Sequence, residues 1–156
     1  MKKRSWLLVL EFFAITIPVA WLWIEWGRAA YLKFFLKLAT PILMILGVTE
    51  FQPRLVQEHF LNYVPFLVLM VITPELTIRR RVIGTLVGFV IIFFDHIGLV
   101  SMAFVAHSNY GLSAKSFSTL FPALLFSDSL PFILWAIIAS SYLKKAVAGL
   151  RKKGEP

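Results

Sequence analysis

The chain has 156 residues, of which 59% are hydrophobic and 15% are charged, and its formal net charge is +8. Soluble domains carry roughly a quarter charged residues, so this composition excludes an ordinary soluble domain and indicates a membrane protein. The basic residues lie at the ends of apolar blocks, a pattern that sets membrane topology, so we predict no nucleic-acid partner. Because the sequence contains no cysteine, structural disulfides, thiolate metal sites and a cysteine nucleophile are also excluded.

Four apolar blocks have close to the roughly 20 residues that a helix needs to cross a hydrocarbon core. They are predicted to span residues 6–26, 55–73, 82–106 and 117–143. The first block follows a basic N-terminus but precedes no cleavage-site pattern, so we interpret it as a retained membrane anchor. The predicted fold is all-α, a polytopic integral membrane bundle of four transmembrane helices in a single domain, residues 1–156.

The segment between the first two spans, residues 28–48, has a different pattern. Lys33 and Lys37 are four residues apart, and apolar residues cover the remaining helix faces. This pattern is typical of an amphipathic helix that lies in the membrane surface, so we predict one interfacial helix here. The alternative is a fifth span over residues 34–48, which would reverse the side of every later flank.

The distribution of lysine and arginine predicts that both termini are cytoplasmic. Positive residues are retained on the cytoplasmic side of short flanks. With the N-terminus inside, 11 of the 16 basic residues lie in cytoplasmic flanks, including Arg79, Arg80, Arg81 and a basic tail over residues 144–156.

An acidic residue, Asp95, lies in the middle of the third span. At 100° per residue, Gly84, Gly88 and Asp95 fall on one face of that helix. Glycines at this spacing let helix backbones approach closely inside a membrane. Because a charge that faces lipid costs at least about 3 kcal/mol, we predict that Asp95 is a buried polar contact in this helix interface.

Two more polar residues are predicted to be buried within spans. His96 lies about 100° around the helix from Asp95, so the two cannot form an internal acid–base pair, and His96 should face a neighbouring helix or a small cavity. Asp128 in the fourth span lies within about 5 Å of the depth of Asp95, so the two acids could meet and share a proton. Pro131 frees a backbone carbonyl one turn back, near Ser127, and predicts a kink beside Asp128.

A third set of polar residues, Glu58, His59 and Asn62, lies at the predicted outer start of the second span. Glu58 and Asn62 are four residues apart and share a helix face. Neither these residues nor His107 have the spacing of a zinc motif, so we predict no metal site and no cofactor. Glu11, one to two turns inside the first span, is a further candidate for a buried polar contact.

The stretch LATPILMILGV, residues 38–48, resembles the pre-catalytic segment of the exosortase and archaeosortase family, which also ends in Leu-Gly-Val. The second span, the turn at residues 78–82 and the third span are similar to that family's core too. The chain as a whole is most similar to the small membrane proteins associated with exosortase H. The resemblance covers roughly residues 31–131.

The family's enzymes are membrane transpeptidases that use a cysteine, an arginine and a histidine. The corresponding stretches here read LNYVP, residues 61–65, and FDHIGL, residues 94–99, without the cysteine or the arginine. The resemblance therefore implies a relative without catalytic residues, in the cytoplasmic membrane of a bacterium.

Three functional hypotheses follow. The first, which we take as the prediction, is a non-catalytic accessory protein in the lipid bilayer that docks onto another membrane protein, such as an exosortase-type sorting enzyme, through the glycine face or the fourth span. The second is a small proton- or ion-coupled carrier that works as a homo-oligomer, with Asp95 and Asp128 as coupling acids. The third is a membrane hydrolase that uses Glu58 and His59, or Asp95, with a water, although no activated nucleophile or metal geometry is visible.

Overall fold

The structure is a computed structural model that describes residues 2–49, 56, 58–74 and 76–151. Every regular element in these residues is a helix, which confirms the prediction of an all-α fold. Residues 50–55, where the predicted second span begins, and the last five residues of the predicted tail lie outside the described residues.

The first helical stretch runs without a break from α1, Lys2–Leu22, through a π-helical turn, Trp23–Gly27, into α2, Arg28–Ile45. The Arg28 N–H donates to the carbonyl of Trp23, which is the wider hydrogen-bond spacing of a π turn. A Cβ at Gly27 would lie 2.8 Å from the Trp23 ring, so the close approach of this ring to the backbone needs glycine. Gly27 therefore does not separate two helices, and the predicted boundary between a span and an interfacial helix is not confirmed.

One face of α2 packs into the interior of the protein. Lys33 and Lys37 are exposed, as the amphipathic pattern requires. The opposite face contributes four buried residues to the core, Tyr31, Phe35, Ala39 and Leu43.

The remaining helices follow in short succession. A 3-10 turn, His59–Asn62, leads into α3, Tyr63–Ile72, and then come α4, Ile78–Tyr110, α5, Ala114–Ile138, and α6, Ser140–Arg151. Helix α4 begins at Thr77, whose hydroxyl accepts the Arg80 N–H, and stops at Gly111, where φ is +59°.

Three helical stretches are long and apolar enough to cross a membrane, Leu10–Ile45, Ile78–Tyr110 and Ala114–Ile138, and a shorter apolar helix covers His59–Ile72. These lengths and compositions indicate a membrane protein. The predicted count of four spans is not confirmed, because the second predicted span corresponds to the shorter helix.

The glycine face of α4 packs against helices of the same chain. A Cβ at Gly88 would lie 2.1 Å from Cζ of Phe66 on α3, so the Phe66 ring occupies the space that a side chain would need. A Cβ at Gly84 would lie 2.8 Å from Cγ2 of Ile138 on α5 and 3.1 Å from Cε of Met70 on α3. The two glycines thus set the close packing of α3, α4 and α5.

Hydrogen bonds join four helices at one end of the bundle. The Trp135 indole N–H donates to the Thr73 hydroxyl at 2.7 Å, and the Arg81 guanidinium donates to the Thr73 carbonyl at 2.9 Å. The Arg80 guanidinium donates to the Ser141 hydroxyl at 2.9 Å. The end of α3, the start of α4 and the junction of α5 with α6 therefore lie together.

Candidate functional site

Two groups of polar side chains lie on the sides of α4 that Asp95 and His96 face, because these two adjacent residues point about 100° apart. The first group contains two sets of contacts, one that joins Asn62, Ser127 and Asp95 and one that joins His59 and Asp128. We call the first group, His59, Asn62, Asp95, Ser127 and Asp128, the polar network. We call the second group, His96, Tyr31 and Tyr63, the histidine–tyrosine chain. Together they connect residues of α2, α4, α5 and the 3-10 turn that leads into α3.

Asp95 is bound through α5 rather than to a second acid. The Ser127 hydroxyl donates to Oδ2 of Asp95 at 2.6 Å, and the same hydroxyl oxygen accepts a hydrogen bond from Nδ2 of Asn62 at 2.9 Å. Ser127 is fully buried and Asp95 is half-buried. Asp95 therefore makes an interhelical contact, and its partner is Ser127 of α5.

The backbone carbonyl of Ser127 is used as well. It accepts a second hydrogen bond from Nδ2 of Asn62, at 2.9 Å. Pro131 stands four residues later in α5 and has no N–H to donate to this carbonyl. The Asn62 side chain therefore replaces the hydrogen bond that Pro131 removes, as a buried carbonyl at membrane depth requires.

His59 and Asp128 form an ion-pair geometry beside an open cleft. Nδ1 of His59 lies 2.7 Å from Oδ1 of Asp128. A cavity of about 300 Å³ opens next to them and is also lined by Glu58, Asn62 and Pro65. Glu58 faces a second cavity, of about 250 Å³, together with Arg28.

Two residues that were predicted to be buried are exposed. The Asp128 side chain is 53% exposed, and Glu11 lies on an exposed position of α1. Asp128 is exposed even though His59 contacts its Oδ1, because that contact covers only part of the carboxylate.

The histidine–tyrosine chain is enclosed by aromatic rings. His96 has no exposed surface, and its Nδ1 lies 2.8 Å from the Tyr31 hydroxyl. The Tyr31 hydroxyl lies 3.1 Å from the Tyr63 hydroxyl, which donates to the Phe89 carbonyl at 3.2 Å. The Phe60 ring packs on His96 with a centroid separation of 4.7 Å.

The available partners determine which group donates in each hydrogen bond of the histidine–tyrosine chain. Phe89 offers only a carbonyl acceptor, so the Tyr63 hydrogen is used there. The Tyr31 hydroxyl must then donate to Tyr63, and His96 must donate from Nδ1 to Tyr31, if all three contacts are hydrogen bonds. Among the described residues, Nε2 of His96 has no hydrogen-bond partner.

Sequence patterns missed Tyr31, Tyr63 and the Ser127 hydroxyl as members of these groups. Tyr31 and His96 are 65 positions apart and share no local pattern. For Ser127 a signal existed, since Pro131 marks its carbonyl as unpaired, but the pattern does not name the donor.

The chemistry open to the polar network follows from its contacts. Ser127 is fully buried and donates to a carboxylate, so it is not poised as a nucleophile. In the described ranges, no three His, Asp or Glu side chains are grouped to hold a metal ion. His59 and Asp128 are the members of the polar network that border the cleft together with Asn62.

Comparisons with protein-family models, with curated proteins and with solved structures gave no match to this chain.

Proposed function

We propose that this chain is a non-catalytic accessory protein that docks onto another integral membrane protein through one face of α5. The observation that carries the proposal is a stripe of exposed residues at helical spacing, which we call the α5 stripe. It consists of Phe117, Phe121, Leu125, Asp128 and Phe132, each between 48% and 60% exposed.

The acid in the α5 stripe is the informative residue. Exposed phenylalanine and leucine suit lipid, but a carboxylate does not. Asp128 lies about 21 Å from the start of α5 and about 15 Å from its end, at 1.5 Å per residue. His59 of the same chain already contacts Oδ1 of Asp128, but the Asp128 side chain stays 53% exposed, and a partner helix with a polar or basic side chain would cover the exposed part.

The glycine face of α4 does not serve as the docking surface. Phe66 occupies the space above Gly88, and Ile138 packs on Gly84. Of the two docking surfaces that the sequence offered, the fourth predicted span therefore remains, and it contains the α5 stripe.

For the identity of the partner, we propose an exosortase-type protein-sorting transpeptidase, on the strength of the sequence resemblance alone. We also propose four crossings of a bacterial cytoplasmic membrane, with the helix His59–Ile72 as the second and both termini in the cytoplasm. The hydrogen bonds of Thr73 with Trp135 and Arg81 support this topology, since they bring one end of α3, α4 and α5 together.

The test is purification of the tagged protein from its own membranes in mild detergent, followed by native mass measurement and identification of what accompanies it. We expect a membrane protein partner in wild type and in Asp95→Asn. In Asp128→Leu we expect about fivefold to thirtyfold less partner, because an interhelical polar contact contributes on the order of 1–2 kcal/mol.

The matched control is Glu11→Gln, which removes an exposed acid from α1 and should leave the amount of partner unchanged. Recovery of a homo-oligomer alone, or equal loss of partner in Asp128→Leu and in the control, would contradict the proposal.

A second candidate function is a small oligomeric proton- or cation-coupled carrier. The observation that favours it is the proximity of two acids and a histidine at one level of the bundle. Asp95 lies within electrostatic range of both His59 and Asp128, and the cleft at His59 and Asp128 gives access to them. A carboxylate beside a proline-broken hydrogen bond recurs at ion sites in transporters.

Proteoliposomes that contain the purified protein and an internal pH-sensitive dye test this candidate. A carrier should dissipate an imposed proton or sodium gradient, and Asp95→Asn should abolish this while the native mass of the oligomer stays the same. A variant Asp95→Asn that still dissipates the gradient would exclude Asp95 as the coupling acid.

A further inference from the structure

A cavity separate from the polar network lies between the first turns of α4 and the end of α5. Its volume is about 520 Å³, and its walls combine basic and apolar side chains. None of its lining residues belongs to the polar network, the histidine–tyrosine chain or the α5 stripe.

The basic end of the cavity is formed by Arg79 and Arg80 in the first turn of α4. Both residues are exposed, and in the described part of the chain neither is paired with a carboxylate. Arg80 donates to the Ser141 hydroxyl at 2.9 Å, which holds its guanidinium at the junction of α5 with α6. The start of α4 adds the partial positive charge of a helix N-terminus, so this end of the cavity suits an anion.

The other end of the cavity is apolar and runs along α4. Ile83 and Val87 form one wall and Ile137 forms the other. Gly84 and Ile138, which packs directly against it, form the floor between them. Arg80 and Val87 are about 10 Å apart along the helix axis, at 1.5 Å per residue, so the apolar part follows the direction in which a lipid chain would run.

The two ends lie in the order in which a membrane lipid presents its own groups. The arginines are at the end of a helix long and apolar enough to cross a membrane, where headgroups lie, and the apolar groove continues towards the interior. A free phosphate would leave the groove unused, and a neutral lipid would leave the arginines unpaired.

We propose that this cavity binds an anionic phospholipid, with the phosphate on Arg79 and Arg80 and one acyl chain in the groove over Gly84. Basic pockets between membrane helices are the kind of site that holds such headgroups. This site is independent of the proposed docking function.

The experiment is native mass spectrometry of the purified full-length protein in detergent with added phosphatidylglycerol or phosphatidylcholine. We expect wild type to retain phosphatidylglycerol in preference to phosphatidylcholine. The double variant Arg79→Gln/Arg80→Gln should bind phosphatidylglycerol about 10-fold to 30-fold more weakly, as expected for the loss of two basic residues at a membrane surface.

The double variant Lys33→Gln/Lys37→Gln is a matched control, because it removes two exposed charges from α2 and gives the same net charge. It should retain phosphatidylglycerol as wild type does. Equal loss of phosphatidylglycerol in both double variants would show that net charge alone controls lipid binding, and it would overturn the proposal. Equal retention of both lipids by wild type would overturn it as well.

A third variant tests the groove. Val87 is 49% exposed, so Val87→Trp can fill the groove without disturbing the core, and size-exclusion chromatography checks that the variant is monodisperse. We expect Val87→Trp to lose phosphatidylglycerol while added inorganic phosphate has no effect on wild-type lipid binding. Unchanged lipid retention in Val87→Trp, or displacement of the lipid by phosphate, would show that the arginines bind an anion without the groove.

Discussion

At the scale of single residues, the structure explains how a proline is accommodated in the middle of an apolar helix. Pro131 leaves the Ser127 carbonyl without its helical donor, and Asn62 supplies one at 2.9 Å. In a membrane no water can take that role, so the identity of residue 62 and the position of the proline depend on each other.

This dependence predicts a non-additive pair of substitutions. Asn62→Ala should lower the free energy of unfolding by about 1–3 kcal/mol, because it leaves a buried carbonyl unpaired. In the double variant Asn62→Ala/Pro131→Ala the restored N–H can bond to Ser127, so the loss should be about 1 kcal/mol smaller than the sum of the single losses. Unfolding by SDS titration in mixed micelles measures this.

Asn109→Ala, at an exposed position in the last turn of α4, serves as the control and should change the free energy of unfolding little. Strict additivity of the two single losses would contradict the assignment of Asn62 as the substitute donor.

The histidine–tyrosine chain leads to a second prediction for a single residue. Tyr31→Phe should lower the free energy of unfolding by about 1–3 kcal/mol, because it leaves Nδ1 of the fully buried His96 without a partner. Tyr110→Phe removes a hydroxyl from an exposed tyrosine and should have little effect. If thermal unfolding in detergent shows equal losses for the two variants, the hydroxyl of Tyr31 contributes nothing specific.

At the scale of helices, Gly88 determines how closely α3 can approach α4. Phe66 of α3 reaches the backbone of α4 only because position 88 has no side chain. The pattern of two glycines four residues apart predicts close helix contact, and the structure shows that the contact is within the chain.

Two glycine-to-alanine substitutions in α4 should therefore have opposite effects. Gly88→Ala should lower the free energy of unfolding by about 1–3 kcal/mol, because the new Cβ collides with the Phe66 ring. Gly98→Ala places its Cβ in open space and should raise the free energy of unfolding by about 0.5–1 kcal/mol.

SDS titration of both variants measures the difference, and Phe66→Leu in the Gly88→Ala background should recover part of the loss. An equal effect at both glycines would mean that the approach of α3 is not what requires glycine at position 88.

At the scale of the whole molecule, two arginines at the start of α4 connect helices at one end of the bundle. Arg81 contacts the end of α3, and Arg80 contacts the start of α6. This grouping agrees with the distribution of basic residues that retains one end of a membrane protein in the cytoplasm.

The absence of cysteine makes the proposed orientation directly measurable, because an introduced cysteine is the only thiol. In intact cells, a membrane-impermeant maleimide should label Ser113→Cys, between α4 and α5, and should not label Ser140→Cys until the membrane is opened. Both positions are exposed, so burial does not confound the comparison. The reverse labelling pattern would invert the proposed topology.

The sequence by itself determined the features that depend only on neighbouring residues. Apolar blocks of sufficient length must form helices in lipid, because every backbone group has to be paired within its own segment. The close helix contact predicted from Gly84 and Gly88, and the unpaired carbonyl predicted from Pro131, likewise follow from a few neighbouring residues. Sequence patterns therefore gave the helical fold and identified Asp95, His96 and Asp128 as residues of interest.

Only the tertiary structure decided which distant residues meet. The partners of His96, Asp95 and Asp128 come from other elements of the fold, between 32 and 69 residues away in the sequence. The exposure of Asp128 also depends on which helix faces remain uncovered after packing. These contacts depend on how well whole helix surfaces pack against one another. No local spacing in the sequence encodes that packing, because many residues compete for each contact.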